Sequence, residues 1–302
     1  MPQPPLAKRL KRFLRYWMLR AAVAGIGLLP PAAAGRLGEL FGAAAFHLAR
    51  GERRKALESL ATAFPERSES ERGIIALECF RHLGRCAFEL ACLRKMEGSL
   101  DAWIEWPAAD RQLLERAVGR GRGVVLATGH VGNWELLGQC LARSKIGTLS
   151  AVAKETTDPR LTALVSAFRA EGGLHSLWRG GEGAAKSILR ALRSGEILAL
   201  LIDQDTNVQS VFVPFFGKLA ATPRAAADLA LRTSAPVVVA FCQRKKDGTY
   251  RVSIDEVSFE PTGEREADVV SLTAQLTARI EEAIRRAPAQ WVWMHRRWKT
   301  QP

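Results

Sequence analysis

The fold is decided by the stretch Val124-Val125-Leu126-Ala127-Thr128-Gly129-His130-Val131-Gly132-Asn133-Trp134-Glu135. Its first half is a continuous apolar run, which is typical of a buried strand. Asn133 is a favourable N-cap for a helix that begins at Trp134. Gly129 and Gly132 allow a tight turn between the two elements. The stretch therefore predicts a strand, a short turn and a helix.

A histidine and a carboxylate, His130 and Glu135, lie in this turn and at the start of the predicted helix. Residues five apart on one helix point about 140° away from each other, so the pair cannot act from a single helical face. With His130 in the turn and Glu135 in the first helical turn, the carboxylate can orient the imidazole as in a general-base site. The turn amides around Gly132 and Asn133 are candidates for holding an oxyanion. A surface histidine in a loop is the plain alternative.

Composition bounds the class of protein. The chain has 302 residues and a formal net charge of +13, which indicates an anionic partner, either nucleic acid or a membrane surface. Its five cysteines are odd in number and show no framework spacing, so we expect them to be reduced in a cytosolic protein. The five histidines are scattered and the zinc motif His-Glu-x-x-His is absent. We expect neither a metal nor a cofactor.

The N-terminus is basic and then apolar. Residues 1–20 carry six Lys or Arg and no acid, and fifteen uncharged residues separate Arg20 from Arg36. That stretch is short of the ~20 residues that span a bilayer. We expect an uncleaved segment that lies on the membrane or dips into it, with its basic end cytoplasmic. The alternative is a signal peptide cleaved near the Ala32–Gly35 sequence.

The remaining chain divides into two further regions. We predict a membrane-associating segment over 1–50, a helical region over 51–118 that includes a capping box from Ser68 to Glu71, and an α/β core over 119–302. The core alternates strands and helices, which favours a mixed sheet flanked by helices. Predicted strands are 123–128, 147–153, 174–178, 196–202, 210–214, 236–243 and 250–256. Predicted helices are 134–144, 158–171, 181–193, 223–233 and 267–287.

Two further clusters can carry chemistry. Asp203 and Asp205 follow the buried strand 196–202, and ligand sites in α/β sheets gather at the carboxyl ends of strands. A solvated turn is the alternative for these acids. Phe212, Phe215 and Phe216 lie in an apolar segment that is either plain core or the wall of a tunnel for an apolar ligand.

Five blocks of the sequence occur in an order that is also found in a known protein family. They are Lys55–Leu60 with Ala63–Glu66, Phe80–Arg85, Gly129–Glu135, Asp203–Asp205 with Phe212–Gly217, and Gln290–Lys299. Together they resemble the lipid A biosynthesis acyltransferases, the late acyltransferases that add secondary acyl chains to lipid A precursors. The resemblance covers nearly the whole chain.

The resemblance implies a His-x4-Asp/Glu acyltransferase fold and activity at the cytoplasmic face of the inner membrane. The acyl donor would be acyl carrier protein or an acyl coenzyme A, and the acceptor an anionic glycolipid. When the family's roles are transferred to this sequence, His130 is the base and Glu135 is its partner. Asp203 or Asp205 is a further acid, and Arg169 is the basic residue of the block after Asp158-Pro159. We expect no nucleic acid partner.

Three alternatives remain at this point. Relatives in the family acylate mannosylated phosphatidylinositol, so another glycolipid is a possible acceptor. A lysophospholipid acyltransferase shares the His-x4-acid motif, but its Pro-Glu-Gly-Thr-Arg block is absent from this sequence. A non-catalytic basic protein that binds membrane or nucleic acid explains the charge but gives His130 and Glu135 no role. We expect a direct transfer, in which His130 activates the acceptor hydroxyl and no acyl-enzyme forms.

Overall fold

The structure, a computed structural model, describes residues 5–96, 100–181 and 183–302. Parts of three predictions lie outside these ranges: residues 1–4 of the N-terminal segment, residues 97–99 of the helical region and residue 182 of the predicted helix 181–193. Six helices come first along the chain. They are α1 (Leu6–Ile26), α2 (Pro31–Leu48), α3 (Arg50–Ala63), α4 (Glu69–Ala91) and the single turns α5 (Leu93–Met96) and α6 (Leu100–Trp103).

The α4 helix begins with the predicted capping box. The Ser68 hydroxyl accepts from the Glu71 amide, and the Glu71 carboxylate accepts from the Ser68 amide at 2.7 Å. Two donors at the helix start that would otherwise lack partners are satisfied in this way. The capping box is confirmed.

Strands and helices alternate in the rest of the chain. In order they are β1 (Ile104–Glu105), α7 (Ala108–Gly119), β2 (Val124–Thr128), α8 (Trp134–Arg143), β3 (Leu149–Lys154), α9 (Pro159–Glu171), β4 (Leu174–Arg179), α10 (Ala184–Arg193), β5 (Ile197–Leu201), β6 (Ser210–Phe215), β7 (Lys218–Pro223), α11 (Ala225–Thr233), β8 (Val237–Arg244), β9 (Tyr250–Glu256) and α12 (Arg265–Arg286). All seven predicted strands and five predicted core helices are confirmed. The strands β1 and β7 were not predicted, because β1 has two residues and β7 is poor in β-branched side chains.

Seven strands form one mixed sheet in the order β1-β9-β8-β2-β5-β3-β4. The pairing is antiparallel between β8 and β9 and parallel elsewhere. In the register of β2 with β5, Thr128 lies opposite Leu201. The residues two positions beyond, His130 and Asp203, therefore leave the same edge of the sheet side by side. The strands β6 and β7 form a separate hairpin.

Both faces of the sheet are covered by helices. Along β2, Val124 and Leu126 pack on one face among residues of α7 and α8. Val125 and Ala127 pack on the other face, which α3, α4, α11 and α12 cover. Because both faces are buried, β2 is apolar throughout instead of alternating. The predicted α/β class, a mixed sheet flanked by helices, is confirmed.

The α2 helix packs against α4 at backbone distance. A Cβ atom on Gly42 would lie 2.1 Å from the Phe80 carbonyl oxygen, and one on Gly38 would lie 2.4 Å from that of Gly84. Glycine is therefore required at these crossings. Across the described ranges, no helix combines the length and apolar character needed to cross a membrane.

Candidate active site

The imidazole of His130 is held by Asp203, which follows β5. The His130 Nδ1 atom lies 2.9 Å from Asp203 Oδ1, and the His130 backbone amide donates to Asp203 Oδ2 at 2.7 Å. A Cβ atom on Gly129 would approach the Asp203 carboxyl carbon to 3.0 Å. The strand register, the two hydrogen bonds and the glycine together fix the pair.

The Asp203 carboxylate is fully buried and has three donors. The third is the Trp291 indole, whose Nε1 donates at 2.7 Å. Burial opposes ionisation of this carboxyl, but the facing His130 and the hydrogen bonds lower its pKa to about 2. An ionised carboxylate accepts only, so Nδ1 of His130 carries a proton, and in the neutral ring Nε2 therefore has the free lone pair. The side chain of His130 is 24% exposed, which leaves it reachable by a substrate.

Glu135 has a different partner from the one expected. Its carboxylate accepts two hydrogen bonds from Arg169 on α9. Nε of Arg169 donates at 3.0 Å, and Nη2 donates to the other carboxylate oxygen. The expectation that Glu135 orients His130 is corrected, since the imidazole bonds to Asp203 instead. The physical reason is the parallel register, which places Asp203 beside His130, whereas Glu135 in the first turn of α8 faces α9. The predicted site residue Arg169 is brought to the site, as the ion-pair partner of Glu135.

Asn133 and the turn amides are already occupied by the fold. The Asn133 side chain caps α8 by accepting from the Leu136 amide at 3.1 Å, as predicted, and it is 2% exposed. The Gly132 amide donates to the Gln290 carbonyl at 2.7 Å, and the Asn133 amide donates to the Cys242 carbonyl at 2.8 Å. The expectation that these amides hold an oxyanion is therefore wrong, and the buried Asn133 does not line the cavity described below.

The first turn of α8 offers other donors. The backbone amides of Trp134 and Glu135 have no hydrogen-bond partner within the described ranges, as expected of the first residues of a helix. Both residues line the cavity described below. The helix start adds partial positive charge at this point, which favours an anion.

A cavity of about 770 Å³ opens beside His130. It lies over β3 and β5, between α10 and α11. One wall is aliphatic, because α10 contributes Ala185, Ile188 and Leu189 at helical spacing and α11 contributes Leu229. The sheet adds further small or aliphatic residues, which are Ala151, Val152, Ala153, Leu200, Leu201 and Ile202.

Six cations also line the cavity, and they fall into two groups. The first is paired: Arg169 with Glu135, and Arg224 and Arg265 with Asp228. The second group is Lys154, Arg179 and Arg232, which have no ion pair with any described residue. The cavity thus combines an aliphatic wall with cationic charge that is available to an anionic ligand.

The three phenylalanines expected in a ligand tunnel lie elsewhere. Phe215 is fully buried, and its ring packs 5.6 Å from that of Trp291 and 5.7 Å from that of Trp298. Phe216 packs against Phe64 at 5.2 Å. Neither they nor the half-buried Phe212 line the cavity. The tunnel interpretation is corrected, and the plain-core alternative describes Phe215 and Phe216.

Asp205 does not reach the cavity either. Its carboxylate accepts from the Thr300 amide at 2.9 Å and lies 3.8 Å from the Lys299 ammonium, so it fastens the C-terminal segment. Of the two acids predicted at this strand end, Asp203 alone meets His130 in the described structure. No group of three or more His, Cys, Asp or Glu that could hold a metal ion occurs in the described part of the chain.

Several residues of the candidate site were missed by the sequence reasoning. The apolar triplet on α10 was detectable from its i, i+3, i+4 spacing, and so was the cavity-facing stripe on α11. The indole of Trp291 carried no sequence signal, because 88 positions separate it from Asp203. Only the folded sheet brings the two together.

Comparison with known proteins agrees with this geometry. A family model described as bacterial lipid A biosynthesis acyltransferase matches residues 4–300. The lipid A biosynthesis palmitoleoyltransferase of Escherichia coli (strain K12) is 29% identical over 99% of this chain and 97% of its own length. The lauroyltransferase of the same organism is 26% identical, over 95% of this chain and 93% of its own length.

A third relative is named for a different acceptor. The phosphatidylinositol mannoside acyltransferase of Mycobacterium tuberculosis (strain ATCC 25618 / H37Rv) is 28% identical over 74% of this chain and 69% of its own length. The family match spans nearly the whole chain and includes the His130 turn, Asp203 and the cavity. The chain belongs to the bacterial lipid A biosynthesis acyltransferase family and is an acyltransferase.

Proposed function

We propose that the protein transfers a fatty acyl chain from a thioester donor to a hydroxyl group of a lipid A precursor. The observation that carries this proposal is the His130–Asp203 pair, which opens on a cavity with an aliphatic wall and three cations that have no ion pair with a described residue. A general base beside such a cavity suits an acceptor that is both a lipid and an anion. Full-length relatives with lipid A acyltransferase names support the acceptor class.

The reaction is a direct transfer. Nε2 of His130 removes the proton from the acceptor hydroxyl, and that oxygen attacks the thioester carbonyl carbon. The tetrahedral intermediate collapses as the carbon–sulfur bond breaks, and the imidazolium returns its proton to the departing thiolate. Asp203 keeps Nε2 available by holding the Nδ1 proton, and its charge stabilises the imidazolium.

The oxyanion of the intermediate is assigned to the start of α8. The amides of Trp134 and Glu135 replace the turn amides in this role, because the latter are bonded within the fold. Loss of one oxyanion donor costs ~3 kcal/mol in a comparable acyl-transfer site. The pair Glu135–Arg169 adjoins these amides and keeps opposite charges in the cavity wall next to the acceptor.

Different parts of the cavity bind the acyl chain and the phosphate groups. The acyl chain lies against Ile188, Leu189 and Leu229, where burial of each methylene contributes ~0.8 kcal/mol. Phosphates of donor or acceptor bind Lys154, Arg179 and Arg232. The acyl donor is acyl carrier protein or acyl coenzyme A, both of which present a thioester on an anionic carrier.

Membrane association is assigned to α1 and α2. Large apolar side chains are exposed along both helices, among them Phe13, Trp17, Leu40 and Phe41, each at least 48% exposed. On α1 they alternate with basic residues, a composition that suits the interface of an anionic bilayer. We place the enzyme at the cytoplasmic face of the inner membrane, where the helices lie on the lipid surface.

The proposal is tested with purified protein, a labelled acyl thioester and a panel of acceptors in mixed micelles. The panel contains a tetra-acylated lipid A precursor, a mannosylated phosphatidylinositol and a lysophospholipid, each with both donor types. We expect acylation of the lipid A precursor by the natural protein and none by a His130→Ala variant. Preference for the mannosylated acceptor would establish that alternative, which the mycobacterial relative supports. Acylation of the lysophospholipid alone would contradict the proposal.

A further inference from the structure

A second histidine lies behind the turn formed by residues 129–133, on the side away from the cavity. We call this segment the catalytic turn, because it carries His130. His82, on α4, is 8% exposed, and its Nε2 lies 3.1 Å from the carbonyl oxygen of Gly132. A carbonyl oxygen only accepts, so Nε2–H of His82 is the donor. Gly132 is two residues from His130, and His82 therefore holds the backbone that carries the base.

The same turn has little freedom of its own. Gly132 has a φ of +64°, and a Cβ atom at this position would lie 2.1 Å from the Cys242 carbonyl oxygen. Its amide is bonded to Gln290. The bond from His82 satisfies the remaining backbone group of Gly132, so both polar atoms of this residue have partners.

A buried polar network supports the next residue of the turn. The side-chain Nδ2 of Asn133 donates to the Tyr250 hydroxyl at 3.3 Å, and that hydroxyl donates to the Glu89 carboxylate at 2.6 Å. The Glu89 carboxylate also pairs with Arg244 at 2.7 Å and with Arg85 at 2.9 Å. Burial of polar groups is costly unless they are bonded, and here the four side chains form one connected set under the turn, in which Arg244 Nε has no partner among the described residues.

We propose that His82 is a positioning residue, which fixes the catalytic turn through the Gly132 carbonyl and so keeps Nε2 of His130 aimed into the cavity. The network of Tyr250 and Glu89 supports the same turn at Asn133. This assignment rests on the role proposed for His130 as the base.

His82 does not itself transfer protons. It does not line the cavity, and its Nε2 faces the carbonyl oxygen of Gly132. Burial, with the nearby charge of Arg244, lowers its pKa to about 4, so the ring is neutral at neutral pH. Its contribution is one directed hydrogen bond. A side chain that supplies the same donor without titrating should replace it.

The test compares two variants of similar size. His82→Gln places an amide N–H near the position of Nε2, whereas His82→Met fills the space without a donor. Leu114→Ala is the control, because Leu114 is fully buried on α7, a helix that packs against β9. For each protein we would measure kcat and KM per folded molecule, the pH profile of kcat/KM, and hydrogen exchange of the peptide that spans 129–133.

We expect His82→Met to lower kcat about 10- to 100-fold with KM nearly unchanged, since a small misplacement of a catalytic group has effects of this size. Hydrogen exchange of the turn should accelerate in this variant. His82→Gln should recover most of the activity and keep the natural pH profile. Leu114→Ala should lose stability while its turn exchange and kcat per folded molecule stay unchanged.

Three results would overturn the assignment. They are a His82→Met variant that behaves like Leu114→Ala, a His82→Gln variant no better than His82→Met, and a shifted pH profile in His82→Gln. If His82→Met does not fold, Tyr250→Phe carries the same test, with a smaller loss of kcat expected and an unchanged kcat as the contradiction. Hydrogen exchange is measured without acyl donor or acceptor lipid. Failure of the proposed reaction and failure of the positioning role are therefore distinguishable.

Discussion

Two apolar regions that meet at Asp203 differ in what fills them. On one side the β6–β7 hairpin packs Phe215 and Phe216 against Trp291 and Trp298, and the space is closed by aromatic rings. On the other side α10 and α11 leave a cavity of about 770 Å³, whose wall is made of small and aliphatic side chains. Both regions are apolar in sequence, yet one is core and the other is open.

The difference shows how this fold separates stability from chemistry. Large rings interdigitate and exclude ligand, while alanine, leucine and isoleucine on two separated helices leave a channel that an extended chain can occupy. The regions meet at Asp203, which accepts from Trp291 on the aromatic side and from His130 on the cavity side. Changes on the cavity side should therefore affect turnover and chain preference, and changes on the hairpin side should affect stability.

The largest effect on turnover is expected from His130→Ala. General-base catalysis contributes about 10²- to 10⁴-fold, so kcat should fall by at least this range while the free energy of unfolding changes little. The side chain is partly exposed and fills no core position. Acyl transfer in micelles and urea denaturation measure the two quantities. Near-normal turnover by a folded variant would remove His130 from the mechanism.

On the hairpin side, Phe215→Ala should lower the free energy of unfolding by about 3–5 kcal/mol, because it opens a void among packed rings. Urea denaturation gives the stability, and competition between donors of different length gives the chain preference. We expect that preference to stay as in the natural protein. A changed preference for acyl-chain length in molecules that remain folded would show that Phe215 contacts the acyl chain.

On the cavity side, Leu229→Phe should shorten the preferred acyl chain. Two methylenes excluded from the cavity correspond to ~1.6 kcal/mol, so the ratio of rates for donors that differ by two carbons should shift about tenfold. Leu219→Phe is the matched control, since Leu219 is 47% exposed on β7. Equal length profiles for the two variants would show that α11 does not contact the chain.

The smallest expected effect is on stability in acid. The pKa of Asp203 is lowered from its ordinary 3.8 to about 2 in the folded protein, so its ionised form stabilises the fold above about pH 4. This contribution is lost as the pH falls toward 2. The difference in unfolding free energy between the natural protein and Asp203→Asn should therefore shrink across this interval. A difference independent of pH would contradict the lowered pKa.

The sequence predicted the layout of the fold from local patterns. The strand, turn and helix around His130 followed from an apolar run, two glycines and an N-cap, and each of these forms as expected. The partner of His130 could not be read in this way. Its orienting carboxylate is 73 positions away and is selected by the register between β2 and β5, whereas the sequence favoured the nearby Glu135.

The aromatic block was misread for a related reason. Composition alone does not tell whether adjacent phenylalanines line a space or fill one, because the answer depends on which side chains arrive from elsewhere in the chain. Here Trp291, Trp293 and Trp298 occupy the volume beside the hairpin. The aliphatic wall of the cavity was instead indicated by the spacing of Ala185, Ile188 and Leu189 on one helical face.

The central claim is that Asp203, and not Glu135, sets the tautomer of His130. The most direct measurement is ¹⁵N NMR of the His130 ring at neutral pH in the natural protein, in Asp203→Asn and in Glu135→Gln. We predict the proton on Nδ1 in the natural protein and in Glu135→Gln, and loss of this preference in Asp203→Asn. A comparable Asp→Asn change in a serine protease triad lowers kcat about 10⁴-fold for this reason. A tautomer that changes in Glu135→Gln but persists in Asp203→Asn would contradict the account.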